Sequence, residues 1–202
     1  MNYKKSVFIT AIGTDSGKTL ASAVLCKALK YDYWKPIQCG MDQDSQVIQK
    51  LSPDTVIQPE WINLKTAASP HQAAEIEKIK ISLREIDPPL SKNPLVIEGA
   101  GGVLVPTNQN QYLIDWVIKK KIKIVLVCNY YLGSINHSLL TYEYLKMKKA
   151  NIKGVIFNGE DEYQSRKFLI KKMKLPILVE IPRLSKATAQ QINALAKKVR
   201  YV

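Results

Sequence analysis

The stretch that most constrains the fold lies near the start of the chain. Ser6-Val7-Phe8-Ile9-Thr10 reads as a buried strand, and Lys18 to Leu29 carries apolar residues at helical spacing, at Leu20, Val24, Leu25 and Leu29. The loop Ala11-Ile12-Gly13-Thr14-Asp15-Ser16-Gly17 joins them. A strand that turns through such a loop straight into a helix leaves the helix N-terminus at the strand's carboxyl edge. Its free N–H groups and dipole suit phosphate there. Gly17-Lys18-Thr19 is the end of a P-loop, although the usual first glycine is Ile12 here and glycine is displaced to Gly13. Lys18 is expected to reach the β/γ-phosphates and the Thr19 hydroxyl to bind Mg²⁺.

The rest of the chain repeats the strand-then-helix pattern. Tyr33-Trp34 is a short strand stopped by Pro36, followed by a helix over Asp44 to Leu51. A polar stretch with Pro59, Pro70, Pro88 and Pro89 carries only weak helical signals, around Gln72 to Ile81. Leu95-Val96-Ile97 is a strand ended by Gly99-Ala100-Gly101-Gly102. Further strands are expected over Ile122–Cys128, Val155–Phe157 and Ile177–Val179. Further helices are expected over Tyr112–Lys120, from a Ser134 cap to Lys148, over Tyr163–Met173 and over Ala187–Val199. Continuous apolar strands alternating with helices indicate an α/β fold of P-loop NTPase type. Its sheet would be mainly parallel, with about seven strands and helices on both faces. Residues 1–202 are expected to form one domain, with ligands beyond the carboxyl ends of the strands.

Composition narrows the class. A hydrophobic content of 46% with 23% charged residues excludes a mainly disordered chain and a multispan membrane protein. Lys4 and Lys5 precede an apolar run too short for a leader, so no targeting segment is expected. Three cysteines, Cys26, Cys39 and Cys128, are too scattered for a disulfide framework and suit a reducing cytoplasm. The net charge is +13. The lysines gather at apparent helix ends (Lys119 to Lys121, Lys146 with Lys148 and Lys149, Lys171 and Lys172 with Lys174), where they complement helix dipoles. No nucleic-acid face and no membrane contact are expected.

Further chemistry-bearing residues stand where a nucleotide site needs them. Asp44 opens the second helix, and Glu98 ends a buried strand where a carboxylate is costly without a partner. Either fits Mg²⁺, which takes carboxylates together with nucleotide phosphates; the alternative for Asp44 is a plain helix cap. Lys35 ends the second strand and is read as facing the ligand crevice rather than the core, against the alternative of an exposed edge lysine. Gly99-Ala100-Gly101 permits close backbone approach to a ligand. Asn158-Gly159 is a turn whose side-chain amide suits an adenine edge.

Taken together these residues resemble the dethiobiotin synthetase family over nearly the whole chain. The resemblance is carried by Phe8 to Thr19, Trp34-Lys35-Pro36 to Gly40, Ser69-Pro70-His71, Ile97 to Gly102, Leu132-Gly133-Ser134-Ile135-Asn136-His137 and Ile181-Pro182-Arg183-Leu184. It implies an ATP-dependent carbon–nitrogen ligase, a cyclo-ligase of biotin biosynthesis. From 7,8-diaminononanoate, CO₂ (or bicarbonate) and ATP it would give dethiobiotin, ADP and phosphate. It also implies a homodimer with the substrate site at the interface. Catalysis would fall to Lys35 and Lys18, with Thr14 contacting the carbamate. Thr19, Asp44 and Glu98 would hold Mg²⁺. ATP would be bound by Asp15 to Leu20 (Asp15, Ser16, Gly17, Lys18, Thr19, Leu20), by Asp44, and by Glu98 with Gly99, Ala100 and Gly101. Asn158 with Gly159, and Pro182, Arg183 and Leu184, would meet the base. Substrate would contact Cys39 and, from the neighbouring subunit, Gly133, Ser134, Ile135 and Asn136. His71 and His137 are read as ordering residues. The chain departs from the family at Cys39, often a serine, at Ala11-Ile12, often Gly-Thr, and at Arg183, a frequent tryptophan.

Two other readings compete. A partitioning ATPase would carry a second lysine near the start of the P-loop, and positions 11 to 16 contain none; an amidoligase would need room for a glutaminase domain. A basic nucleic-acid-binding protein on the same fold would interleave aromatic and basic residues on one surface, a pattern the sequence lacks.

Overall fold

The computed structural model describes residues 5–41 and 43–200. Lys4 lies outside them. In chain order the strands are β1 (Val7–Ala11), β2 (Asp32–Trp34), β3 (Ile37–Cys39), β4 (Ile57–Gln58), β5 (Ile62–Leu64), β6 (Leu95–Glu98), β7 (Pro106–Asn108), β8 (Gln111–Tyr112), β9 (Lys123–Asn129), β10 (Ile152–Asn158) and β11 (Ile177–Ile181). The helices are α1 (Lys18–Leu29), α2 (Asp44–Leu51), α3 (Pro70–Ile76), α4 (Leu113–Lys119), α5 (Ser134–Met147), α6 (Ser165–Met173) and α7 (Ala189–Ala196).

Seven strands form one parallel sheet in the order β11-β10-β9-β1-β6-β2-β4. The period-two alternation of a strand divides the core. Val7, Ile9 and Ala11 of β1 pack with Val96, Val125 and Val127 against α1, α2 and α7. Phe8, Ile97 and Ile124 point the other way, onto α4. Leu126, Val155 and Phe157 share that second face with Leu169 and Met173 of α6 and with the partly buried Ile135 and Leu139 of α5. Apolar side chains on both faces bury β1, β2 and β6 throughout and β9 and β10 through their middles, as an all-parallel sheet requires.

Two small additions have no counterpart in the sequence reading. The polar stretch folds as a short parallel pair, β3 with β5, closed by α3 over Ile37, Leu64, Ala73, Ala74 and Ile81. A hairpin, β7 with β8, precedes α4. The helix expected over Gln72–Ile81 is displaced and shorter; it starts at Pro70, a residue suited to a first turn, and ends before Lys78 in the left-handed region. Ser134 is not the cap of α5. Gly133, at φ 100°, holds that place, and the Ser134 hydroxyl is buried with no hydrogen-bond partner among the described residues.

β1 sits at the centre with β6 on one side and β9 on the other, so the loops after β1, β6 and β2 open at the same edge of the sheet. Register fixes their height: Ile9 lies beside Glu98, and Trp34 beside Ile97. Lys35, one residue past Trp34, therefore leaves the sheet level with Glu98.

Candidate active site

The P-loop wraps the N-terminus of α1. Ser16 Oγ donates to the Gly13 carbonyl at 3.1 Å and Lys18 Nζ to the same oxygen at 3.4 Å, so the loop is closed on itself. Gly17 caps α1 at φ 89°, and a Cβ there would lie 2.2 Å from Asn158 Nδ2. Only glycine satisfies both demands. The Asn158 amide in turn donates to the Ser16 carbonyl at 3.1 Å, which ties the end of β10 to the loop.

A cleft of about 710 Å³ opens over this loop, lined by Thr14, Asp15, Gly17, Lys18, Thr19, Lys35, Cys39, Asp44, Glu98, Ala100 and Gly101. Ala67, Ala68, Ser69, Pro70 and Val105 close its far side. Of those five, Ser69 and Pro70 lie in a stretch already singled out; the two alanines and Val105 carry no chemical signal in sequence. Thr19 Oγ1 lies 2.7 Å from Asp44 Oδ1 and 2.9 Å from Glu98 Oε1. Asp44 pairs through Oδ2 with Lys35 Nζ. The N-cap of α2 is Gln43 and Asp44 is the first residue inside the helix, with its side chain lining the cleft. Lys35 is 7% exposed and lines the cleft, not an edge.

Four charged side chains and one hydroxyl meet in this cluster, with Lys35 paired to Asp44. One hydroxyl proton cannot serve two carboxylates at once. Lys18 and Lys35 are both buried, and loss of water pushes each ammonium pKa below its ordinary value, against the opposing pull of Glu98. Among the described residues no group of three or more His, Cys, Asp and Glu forms a metal cage. Two carboxylates and a hydroxyl, all oxygen, instead suit Mg²⁺, which fills its remaining positions with phosphate oxygens and water. Cys39 faces the same cleft, and burial raises its thiol pKa to about 11, so it is a protonated thiol at neutral pH.

Other expected site residues lie outside this cleft. Asn158 and Ile181 are paired in register, and the Gly159 amide donates to the Ile181 carbonyl at 2.9 Å. Asn158-Gly159 and Pro182-Arg183-Leu184 are thus neighbours at the ends of β10 and β11. The Arg183 side chain turns to solvent, 3.5 Å from Glu162, while Leu184 packs on the core. Leu20 also packs on the core. Gly133, Ser134, Ile135 and Asn136 do not line the cleft of their own chain. The Ser134 amide donates to the Tyr131 carbonyl at 2.9 Å, so it is not free for a ligand in this chain. His71 Nδ1 lies 3.0 Å from Ser69 Oγ, and His137 Nδ1 lies 2.6 Å from the Tyr131 hydroxyl, both local ordering contacts. The sequence reading missed Tyr33, whose hydroxyl donates to Glu98 Oε2 at 3.0 Å; nothing in a short apolar strand marks it.

Residues 5–191 match the family model described as AAA domain. The ATP-dependent dethiobiotin synthetase BioD of Cytophaga hutchinsonii is 44% identical over 199 residues, 96% of this chain and 97% of that protein. The enzyme of the same name from Christiangramia forsetii is 46% identical, over 84% of this chain and 83% of its own length. Among solved structures, a ParA family ATPase from Chlorobium tepidum superposes with a TM-score of 0.59 at 13% identity, covering 97% of this chain and 99% of its own. MinD of Aquifex aeolicus gives 0.56 at 15%, covering 96% and 95%. At such identities these two speak for the fold alone.

Proposed function

The chain belongs to the dethiobiotin synthetase family, and on that premise we propose that its cleft carries out the ATP-dependent closure of a ureido ring on 7,8-diaminononanoate. The observation that carries this reading is the convergence of Lys18, Lys35, Thr19, Asp44 and Glu98 on one cleft, from β1, β2, β6 and two helix starts.

Membership of the family implies three steps. One amine of the substrate adds to CO₂ and loses a proton, giving a carbamate. A carbamate oxygen attacks the γ-phosphorus of ATP; ADP leaves and a carbamic–phosphoric anhydride forms. The second amine attacks the carbamate carbon, expels phosphate and closes the ring. The phosphoryl step asks for position and positive charge rather than a protein nucleophile. Lys18, with the P-loop amides, holds the β- and γ-phosphates. Lys35 neutralises the carbamate and the transferring phosphoryl group, with Thr14 at the carbamate. Mg²⁺ on Thr19, Asp44 and Glu98 would supply charge neutralisation across the phosphates. The ends of β10 and β11 receive the adenine, and Asn158, anchored on Ser16, sets the base against the loop.

The substrate's carboxylate tail is assigned to the start of α5 of a second subunit. Two features of the chain support this. That helix start lies outside its own chain's cleft, and Leu140 and Met147 of α5, with Leu132 in the turn before it, are exposed at 62%, 69% and 83%, apolar surface a homodimer would cover. We assign the reaction to the cytoplasm, a reading that three free thiols support. Product analysis with the diamine, bicarbonate and ATP tests the reading; absence of dethiobiotin would end it.

A further inference from the structure

We infer that Tyr33 is a positioning residue that fixes Glu98 for the metal; this rests on the reading of Glu98 as a Mg²⁺ ligand. Tyr33 lies on β2, beside β6, with its ring wholly buried among Val96, Ile9, Val24 and Ile48. An apolar core of this kind has no need of a phenol. The hydroxyl nevertheless donates to Glu98 Oε2 at 3.0 Å, while Glu98 Oε1 faces Thr19 at 2.9 Å.

The two oxygens of Glu98 are thus assigned different tasks: Oε2 is held from within the core and Oε1 is presented to the cleft. Glu98 is itself 1% exposed, so water does not do this in place of the phenol. A buried carboxylate anchored on one oxygen cannot rotate to offer both oxygens to a cation. It binds through one and keeps the geometry that octahedral Mg²⁺ demands. Groups that orient a ligand from behind set metal affinity nearly as strongly as the ligand itself.

The test compares ADP affinity by calorimetry with and without Mg²⁺, in wild type, Tyr33→Phe, Glu98→Gln and the double variant. Wild type should bind ADP more tightly with Mg²⁺ than without it. In Tyr33→Phe that metal-dependent gain should fall by roughly ten- to a hundred-fold in affinity. Affinity in metal chelator should change less than about two-fold, since the phosphate loop is untouched. The double variant should match Glu98→Gln, because Tyr33 acts only through that carboxylate. A full metal-dependent gain in Tyr33→Phe, or a further loss in the double variant beyond Glu98→Gln, overturns the inference. An unchanged gain in Glu98→Gln instead overturns the ligand reading beneath it. If Tyr33→Phe alone fails to fold, the double variant, which removes the unpaired carboxylate charge, decides by the same comparison.

Discussion

Lys18 enters the cleft from the start of α1 and Lys35 from the end of β2, and each is held there at a cost in hydration. Lys18→Ala and Lys35→Ala should each abolish dethiobiotin formation, a loss of about 3 kcal/mol or more of transition-state stabilisation per group, with the melting temperature little changed. Near-normal turnover in Lys35→Ala contradicts its role. The lowered ammonium pKa values give opposite signs for rate and stability. Between the folded value and the ordinary lysine value, the unfolded chain holds protons the folded chain has released. The stability owed to these groups therefore rises with pH across that window. Activity, which needs both charges, falls across it. A kcat profile and urea midpoints over the alkaline range check both slopes. Cys39 gives a further residue-scale expectation. Its protonated thiol is a weak donor, so Cys39→Ser should lower the KM for the diamine and leave the KM for ATP unchanged. Most of these positions are legible in sequence because charged residues at strand ends are costly unless a ligand uses them. Tyr33 is not, because its polar atom is spent inside the core.

At the scale of elements, α1 and α2 have the same bounds in structure as in the sequence reading, since each opens at a functional residue and closes at a clear break. The strands β4, β5, β7 and β8 run only two or three residues, too short for any periodicity, and so escape it. The start of α5 was misread by one residue because serine is the commoner cap, whereas the left-handed turn there requires Gly133. Ile135 packs against the second core face, so a charge there would disturb folding as well as binding. Asn136 is exposed and makes the cleaner probe. A carboxylate in its place sets like charge against the substrate tail and cancels the dipole's attraction. Asn136→Asp should therefore raise the KM for the diamine about ten-fold or more, with ATP binding intact. An unchanged KM places the tail elsewhere.

At the scale of the whole molecule, one edge of a parallel sheet gathers the loop before α1, the carboxylates Asp44 and Glu98 and the two lysines, while apolar side chains of α5 face outward. Leu140→Glu should give a folded monomer by sedimentation, with dethiobiotin formation lost. Chains carrying Lys35→Ala and chains carrying Asn136→Asp, mixed in equal amounts, should recover about a quarter of wild-type activity at low diamine, since half of the dimers then hold one intact site of two. The parallel architecture and its binding edge follow from the strand and helix periods. Pairing between copies leaves no such period in the sequence, and α5 suggests it only once its exposed side is seen. The account stands most directly on coupled turnover. ADP release measured with 7,8-diaminononanoate and bicarbonate, each omitted in turn, should require both and yield one ADP and one phosphate per dethiobiotin. ADP release that ignores the diamine, or that depends instead on DNA, would contradict it.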